Sequence, residues 1–285
     1  MKARHLFSAL ALSAGVCSVS MADVTGKATF DGTPPKPKEI NMQAVADCAK
    51  QHADPVFEET VVVGEKGELK NVVVYVKKEE GQNLGGAAPT EPAILDQKGC
   101  MYSPHVLPVM AGQPMKIRNS DGFLHNVHGL GKDNGEFNFP QQNTGDNDVT
   151  NKANKAPETY KVKCDVHPWM AAWIVVMDHP FFAASGDDGA YAIKNLKDGE
   201  YTLVAWHERL GTQEQKVTVK DGKATADFKF KPKSKAAVDL QIPKAVEVIA
   251  TTAKKADDCC DDCKKGDAVA TTEVKATAAQ APAAK

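Results

Sequence analysis

The chain contains few aromatic side chains and, after its N-terminal segment, no long apolar run. Phe, Trp and Tyr make up 6% of its 285 residues. A helix that spans a bilayer needs about 20 consecutive apolar residues, so we expect no membrane span. The formal net charge is −2, and a chain without a basic excess is a poor partner for nucleic acid. We therefore expect no nucleic-acid partner.

The first 22 residues have the three parts of an export signal. Lys2 and Arg4 precede an apolar stretch, and Ser20-Met21-Ala22 puts small residues at the −3 and −1 positions ahead of Asp23. We expect a cleaved signal peptide over residues 1–22 and a periplasmic or otherwise exported protein. The alternative is an uncleaved membrane anchor, but the apolar stretch is short for one.

Short β-like runs, separated by glycine and proline, dominate the sequence. Residues 58–78 predict two strands around a turn, and "AAWIVVMD" (171–178) predicts a buried strand. A long polar loop is expected over residues 131–157, and "ADCAKQHAD" (46–54) is either a short helix or an irregular loop. Many short strands with turn signals between them indicate an all-β protein built as a sandwich or barrel.

The stretch "KCDVHPWM" (163–170) concentrates metal-binding residue types. Cys164, His167 and Met170 are spaced three apart, between a strand that ends at Cys164 and one that begins at Ala171. Thiolate, imidazole and thioether are ligands that suit copper, and a His₂Cys site with a long axial Met is the blue-copper arrangement. Such a site needs a second histidine from elsewhere in the chain.

The stretch "IRNSDGFLHNVHGL" (117–130) offers His125 and His128 for that role. Residues three apart on a strand point to opposite faces. We therefore expect one of the two to face the Cys164 loop and the other to face away.

Together, these two stretches resemble the cupredoxins. "CDVHPWM" is similar to the C-x-x-H-P-aromatic-M ligand loop of the family, and "NSDGFLHNV" is similar to the stretch that carries its first histidine ligand in the plastocyanin and amicyanin branch. The resemblance covers about residues 115–178. It implies a Greek-key β-sandwich with one mononuclear type 1 copper site, and it selects His125 over His128. The implied ligands are His125, Cys164, His167 and axial Met170.

The same resemblance assigns roles around the site. It implies that Asn126 ties the histidine strand to the cysteine loop, and that Pro168 and Trp169 belong to an apolar docking surface around His167; the alternative for Trp169 is inward packing. Asp165 departs from the family, which usually has Ser or Thr there. A carboxylate so near the thiolate could lower the reduction potential.

Two other cysteines fall in the part of the chain expected to fold. In an exported protein we expect Cys48 and Cys100 to form a disulfide. The alternative is a second metal site with His52 and His105, because "CAKQH" and "CMYSPH" have similar spacings. His179 and His207 are expected to be structural.

Residues 181–230 contain about five further strands. The run G-x-Y-x-I-x-N-L-x-x-G-E-Y within them resembles the regulatory-like β-sandwich modules of carboxypeptidases, which implies scaffolding or adhesion. Beyond them, the Ala- and Lys-rich composition predicts a largely disordered tail. Its "DDCCDDCKKGD" segment contains Cys259, Cys260 and Cys263. These cysteines either bind a soft metal ion or belong to a low-complexity tail in which they cross-link or have no role.

The sequence thus predicts four segments: a signal peptide (1–22), a cupredoxin-like copper-binding domain (23–180), a carboxypeptidase-regulatory-like module (181–232) and a low-complexity tail (233–285). The leading hypothesis is a non-enzymatic, exported electron carrier whose partner is a c-type cytochrome or a dehydrogenase. The alternative is a copper delivery or storage module. A copper oxidase or reductase would need a second His-rich copper site or an open coordination position, and the eight histidines include no H-x-H pair.

Overall fold

The computed structural model describes residues 23–232, apart from the side chain of Asn151. The predicted signal peptide (1–22) lies outside the described residues. So does the predicted tail (233–285), with Cys259, Cys260 and Cys263.

The described chain consists almost entirely of β-strands, which confirms the all-β prediction. In chain order the elements are β1 (Asp23–Phe30), α1 (Ala46–Ala49), β2 (Val73–Val76), β3 (Ala93–Lys98), β4 (Met101–Ser103), β5 (Val106–Met110), β6 (Met115–Asn119), β7 (His125–Leu130), β8 (Glu136–Gln141), β9 (Gly145–Asp148), α2 (Thr150–Ala153), β10 (Glu158–Lys163), β11 (Ala171–Met177), β12 (Phe182–Ala184), β13 (Ala190–Lys194), β14 (Gly199–His207), β15 (Gly211–Val219), β16 (Lys223–Thr225) and β17 (Phe228–Phe230).

The first sandwich, formed by β3 to β11, has two sheets around one core. One sheet has the strand order β5-β11-β10-β7-β8 and the other β4-β3-β6-β9. Alternation along the strands directs apolar side chains inward: in β10, Tyr160 and Val162 are buried while the residues beside them are more exposed. These two pack with Leu95, Ile117 and Ile174 from neighbouring strands. The ends of β7, β10 and β11 carry the predicted metal-binding residues.

The second sandwich contains strands from both ends of the described chain. Its sheets have the orders β13-β1-β16, with β17 also on β1, and β12-β2-β14-β15. Val24 of β1 and Val74 of β2 share its core with Ile193, Leu203 and Phe228. Strand pairing therefore crosses the boundary predicted at residue 180, and the domain limits stay a prediction. The first sandwich lies, in sequence, between β2 and β12, and these two strands pair with each other.

Two local expectations were wrong. The segment 131–157 is not one long loop, because it contains β8, β9 and α2. Its polar composition does not prevent strand formation, since β9 pairs with β6 although all four of its residues are exposed. In 58–78, only β2 is a full strand, and the first predicted strand is reduced to an isolated bridge between Val63 and Leu69.

A third, smaller cluster joins the two sandwiches. Trp173 of β11 and Trp206 of β14 meet with ring centroids 5.6 Å apart. Glu208 accepts a hydrogen bond of 2.9 Å from Trp173 Nε1 and pairs with the buried His105. No helix in the described part of the chain is long and apolar enough to cross a membrane.

Candidate metal centre

The loop between β10 and β11 is a tight hairpin closed by its own backbone. β10 pairs with β11 up to Lys163 and Ala171. The Cys164 N–H donates to the Met170 carbonyl over 3.1 Å, and the Met170 N–H donates to the His167 carbonyl over 2.9 Å. These bonds fix the seven-residue loop as a compact unit, with the side chains of Cys164, His167 and Met170 all buried.

His125 approaches this loop from the neighbouring strand. β7 pairs with β10, which places the start of β7 beside the end of β10. The Nδ1 atoms of His125 and His167 are 3.1 Å apart, and Cys164 Sγ is 3.6 Å from His167 Nδ1. One ligand atom from each of the three residues lies within 4.8 Å of the others. The structure therefore brings together His125, Cys164 and His167, with His125 0% and His167 2% exposed.

The Cys164 sulfur sits among hydrogen-bond donors. The N–H of Asn126 points to Sγ at 3.3 Å, and the N–H of His167 does so at 3.4 Å. Burial by itself would raise the pKa of the thiol, but hydrogen bonds from His125, His167 and the two amides outweigh it and lower the pKa of Cys164 to about 5. A thiolate, the form that binds metal, is thus stabilised before any ion is present.

Met170, the fourth predicted ligand, lies at the end of the same loop. It is fully buried and belongs to the same apolar cluster as Cys164. The donors available in this region are two imidazole nitrogens, one thiolate and one thioether, and this set fits copper better than Mg²⁺, Ca²⁺ or Mn²⁺.

Asp121 is a residue of the site that the sequence reasoning missed. Its Oδ2 atom lies 2.8 Å from His125 Nε2, and its side chain is 1% exposed. Hydrogen bonds from His125 and from the amides of Gly99 and Cys100 offset the cost of burial and lower its pKa. A carboxylate here accepts the Nε2–H proton of His125, so release of the Nδ1 proton on metal binding would leave a lone pair on Nδ1, the nitrogen that faces His167. The position of Asp121, four residues before His125 in "NSDGFLH", was the available signal.

We expect Asp121→Asn to weaken copper binding by about 10-fold or more, because partners of ligating histidines typically contribute 10–100-fold to metal affinity. The amide keeps the size of the carboxylate but also presents a donor to His125. Competition with a chelator measures the Kd. Asp187→Asn, at an exposed position in the second sandwich, is the control, and equal Kd values for the two variants would contradict the assignment.

The turn at Gly99–Cys100 is hydrogen-bonded to a neighbour of each candidate histidine ligand, Asp121 beside His125 and Trp169 beside His167. Its two amides donate to Asp121 over 2.6 and 2.9 Å. The carbonyl of Cys100 accepts a 3.0 Å hydrogen bond from Trp169 Nε1, and the Trp169 ring lies against His167 with centroids 5.5 Å apart. Trp169 is therefore half-buried and held inward by this bond, while Pro168 is exposed.

The predicted disulfide between Cys48 and Cys100 is confirmed. The two Cα atoms are 5.6 Å apart, and the bridge links residues 52 positions apart in the sequence. The alternative site with His52 and His105 does not form: His52 Nε2 bonds to the Gly99 carbonyl over 2.7 Å, and His105 pairs with Glu208.

His128 lies apart from the cluster, on the other face of β7, as the alternation rule predicts. Its Nδ1 is 2.9 Å from Asp165 Oδ2, and its Nε2 is 2.7 Å from Glu136 Oε1. Asp165 also binds Lys163 Nζ over 2.7 Å, so its charge is balanced by Lys163 and, when the ring is protonated, by His128. Lys163, followed by His128, lowers the pKa of Asp165 to about 2. The N–H of Asp165 donates to Asn126 Oδ1 over 3.2 Å, which joins the histidine strand to the cysteine loop.

These contacts give His128 a pH-dependent effect on stability. The hydrogen bond to Glu136 and the bond to Asp165 raise the pKa of His128 above its ordinary value. A raised folded-state pKa stabilises the fold below the unfolded pKa of about 6.5, and this contribution is lost as pH rises through the folded value. We expect His128→Gln to lower the free energy of unfolding more at about pH 5.5 than at about pH 8.5. Denaturant titrations at both pH values check this, and a pH-independent difference would contradict it.

The remaining buried histidines of the described chain bind backbone. His179 Nδ1 accepts from the Phe181 N–H over 3.2 Å, and His207 Nδ1 accepts from the Arg209 N–H over 3.2 Å. Both contacts fix local turns, in keeping with the structural role expected for them.

Two apolar side chains next to the candidate ligands are exposed. Leu124, which precedes His125, is 41% exposed, and Val166, which precedes His167, is 45% exposed. Each precedes a buried histidine, and the two histidine rings lie with centroids 4.9 Å apart; Leu124 and Val166 together are called the apolar rim.

Comparison with known proteins gives the following likenesses. Residues 177–227 match the family model described as polysaccharide lyase family 4, domain II. No curated protein matches the chain. The structure is similar to a purple cupredoxin from Nitrosopumilus maritimus, with 21% identity and a TM-score of 0.25 over 30% of this chain and 99% of that one.

Two further solved structures are similar. A reduced amicyanin variant matches with 20% identity and a TM-score of 0.27, over 36% of this chain and 98% of that one. A copper-containing nitrite reductase from Thermus scotoductus matches with 18% identity and a TM-score of 0.27, over 36% of this chain and 25% of that one. Cupredoxins and a copper enzyme are thus among the proteins that this chain resembles, each over about a third of its length.

Proposed function

We propose that this protein is an exported type 1 copper electron-transfer protein. One observation carries the proposal: the buried convergence of His125 Nδ1, His167 Nδ1 and Cys164 Sγ within 4.8 Å, in a loop that also holds Met170. Copper bound by these residues would supply a one-electron Cu(I)/Cu(II) couple. Soft sulfur ligands favour Cu(I), and imidazoles accept both states.

The protein's own groups prepare this site. Asp121 holds His125 in one orientation and tautomer, and Trp169 packs against His167. The amides of Asn126 and His167 point to the thiolate. Because the ligands sit at the ends of paired strands and in a bonded loop, the geometry is held by the fold, which limits rearrangement when the charge of the ion changes.

The apolar rim at Leu124 and Val166 supports contact with a redox partner. Small apolar surfaces suit the weak, transient complexes through which electron carriers act. We propose a c-type cytochrome or a dehydrogenase as that partner. No enzymatic role is proposed, because His125, Cys164, His167 and Met170 would fill the coordination positions of one copper ion and leave none open for substrate.

The visible spectrum of the oxidised, copper-loaded protein tests the proposal. A thiolate bound to Cu(II) in this geometry is expected to give strong absorption toward the red end of the spectrum. A control with Zn²⁺ in place of copper should be colourless. Colourless Cu(II)-loaded protein would exclude a type 1 site.

Copper delivery or storage is the second candidate function. It requires copper that exchanges readily with a chelator, whereas candidate ligands that are 0–2% exposed favour slow exchange. Rapid loss of Cu(I) to a chelator from a protein with the expected colour would favour delivery over electron transfer.

A further inference from the structure

The disulfide lies beside the candidate copper site. Cys48, Cys100 and His167 form a second group in which one ligand atom from each residue lies within 4.8 Å of the others. The two cysteines are 0% exposed and His167 is 2% exposed. His167 therefore belongs to two buried groups of sulfur and nitrogen donors, one with Cys164 and one with the disulfide.

We propose that Cys48 and Cys100, when reduced, form with His167 a second binding site, which takes Cu(I). In the disulfide the two sulfurs are joined to each other and neither is a thiolate. Reduction by a dithiol converts R–S–S–R and R′(SH)₂ into two R–SH groups and the cyclic disulfide R′S₂, with two electrons and two protons passing from the dithiol to this protein. Binding of Cu(I) then releases the two thiol protons and forms two Cu–S bonds.

The distances suit such a site. A metal–thiolate bond is about 2.3 Å, so two sulfurs that share one ion can be no more than about 4.6 Å apart. Cysteines whose Cα atoms are 5.6 Å apart can reach this separation by side-chain rotation. Two thiolates and one imidazole form a soft donor set, which selects Cu(I) over hard cations.

The segment that carries Cys48 has little regular secondary structure, although Ile40, Met42 and Cys48 are buried in the core of the first sandwich. Between β1 and β2, the chain from residue 31 to 57 contains only α1 and the isolated bridge of Glu39 with Phe57. A groove of about 210 Å³ runs along this segment, lined by Met42, Ala49 and His52 among others. Because both cysteines are 0% exposed, a reductant and Cu(I) reach them only when this segment opens locally.

Copper binding by a protein that lacks the first site tests the proposal directly. The full chain carries Cys164→Ser, together with serine at Cys259, Cys260 and Cys263 so that the tail contributes no thiol. One sample is kept oxidised, and the other is reduced with a phosphine that is removed before anaerobic addition of Cu(I). The phosphine takes up oxygen from water as it converts the disulfide into two thiols. Retention of Cu(I) against bicinchoninate is measured in both.

We expect the reduced sample to retain one equivalent of Cu(I) per chain more than the oxidised sample. This additional equivalent should disappear when Cys48 or Cys100 is also replaced with serine. With His167→Ala, the affinity of the reduced protein for the additional Cu(I) should fall at least about 10-fold. His52→Ala, a histidine next to the same turn, is the matched control and should leave the gain unchanged.

Three results would overturn the proposal: no gain on reduction, a gain that survives loss of Cys48 and Cys100, or a native protein in which the phosphine frees no thiols. A gain unaffected by His167→Ala would remove His167 from the site. If Cys164→Ser does not fold, Cys164→Ala provides the same background. The proposed electron-transfer function is judged on the colour of the oxidised protein with Cys164 present, so failure of one proposal is distinguishable from failure of the other.

Discussion

Replacing His125 with alanine is expected to abolish the visible absorption of the copper-loaded protein, whereas replacing His128 with alanine leaves that absorption in place. His125 presents Nδ1 to the buried cluster at 3.1 Å from His167 Nδ1. His128 has both ring nitrogens bound to carboxylates outside it. The pair is well matched, because the two residues are the same type, on the same strand, three positions apart.

Copper content and the visible spectrum of both variants provide the measurement. Loss of one of three close ligands removes the trigonal geometry on which the absorption depends, so the His125→Ala protein should lose its colour even where some copper is retained. Circular dichroism confirms that each variant is folded. Loss of colour in His128→Ala with retention in His125→Ala would reverse the ligand assignment.

Removal of the disulfide is expected to have the largest effect on stability. The bridge closes a loop of 52 residues, and the loss of chain entropy in the unfolded state predicts a contribution of about 4 kcal/mol for a loop of this length. The variant Cys48→Ala/Cys100→Ala avoids buried hydroxyl groups. We expect its free energy of unfolding to fall by roughly that amount.

Denaturant titration of the oxidised wild type and of the double variant, both without metal, measures this difference. Phosphine-reduced wild type is the control, because it has lost the cross-link but kept both side chains. The two uncrosslinked proteins should agree to within about 1 kcal/mol. A fall of less than about 1 kcal/mol in both would show that the unfolded chain is already compact around residues 48–100.

The copper-site residues could be predicted because their signal is local. Cys164, His167 and Met170 are fixed by one short loop, and strand alternation separates His125 from His128. Asp121 was harder to predict, because its role depends on the amides of Gly99 and Cys100, which lie in the turn between β3 and β4. The contact between the disulfide and His167 likewise requires three distant segments to be placed together.

The pairing of β1 could not be predicted for the same reason. Nothing in "VTGKATF" specifies that its partners are β13, β16 and β17 rather than a neighbouring strand. Sequence periodicity predicts that a strand has a buried face, but not which distant strand lies beside it. The boundary predicted at residue 180 rests on a change in pattern along the chain, and such a change does not indicate which strands pair.

The pairing of β1 also has a consequence for the order in which the protein is assembled. Lys27 on β1 bonds with Asp227, 200 residues later, so the second sandwich cannot close until nearly all of the described chain has been synthesised. All the candidate copper ligands lie at or before Met170, and β11, the last strand of the first sandwich, ends at Met177. The chain emerges from the ribosome or from an export channel in sequence order. All strands and ligands of the first sandwich have therefore emerged before β13, β16 and β17, the strands that pair with β1. Early folding of the first sandwich would therefore hold the two halves of the second one close together, since β2 and β12, which flank the first sandwich in sequence, pair with each other.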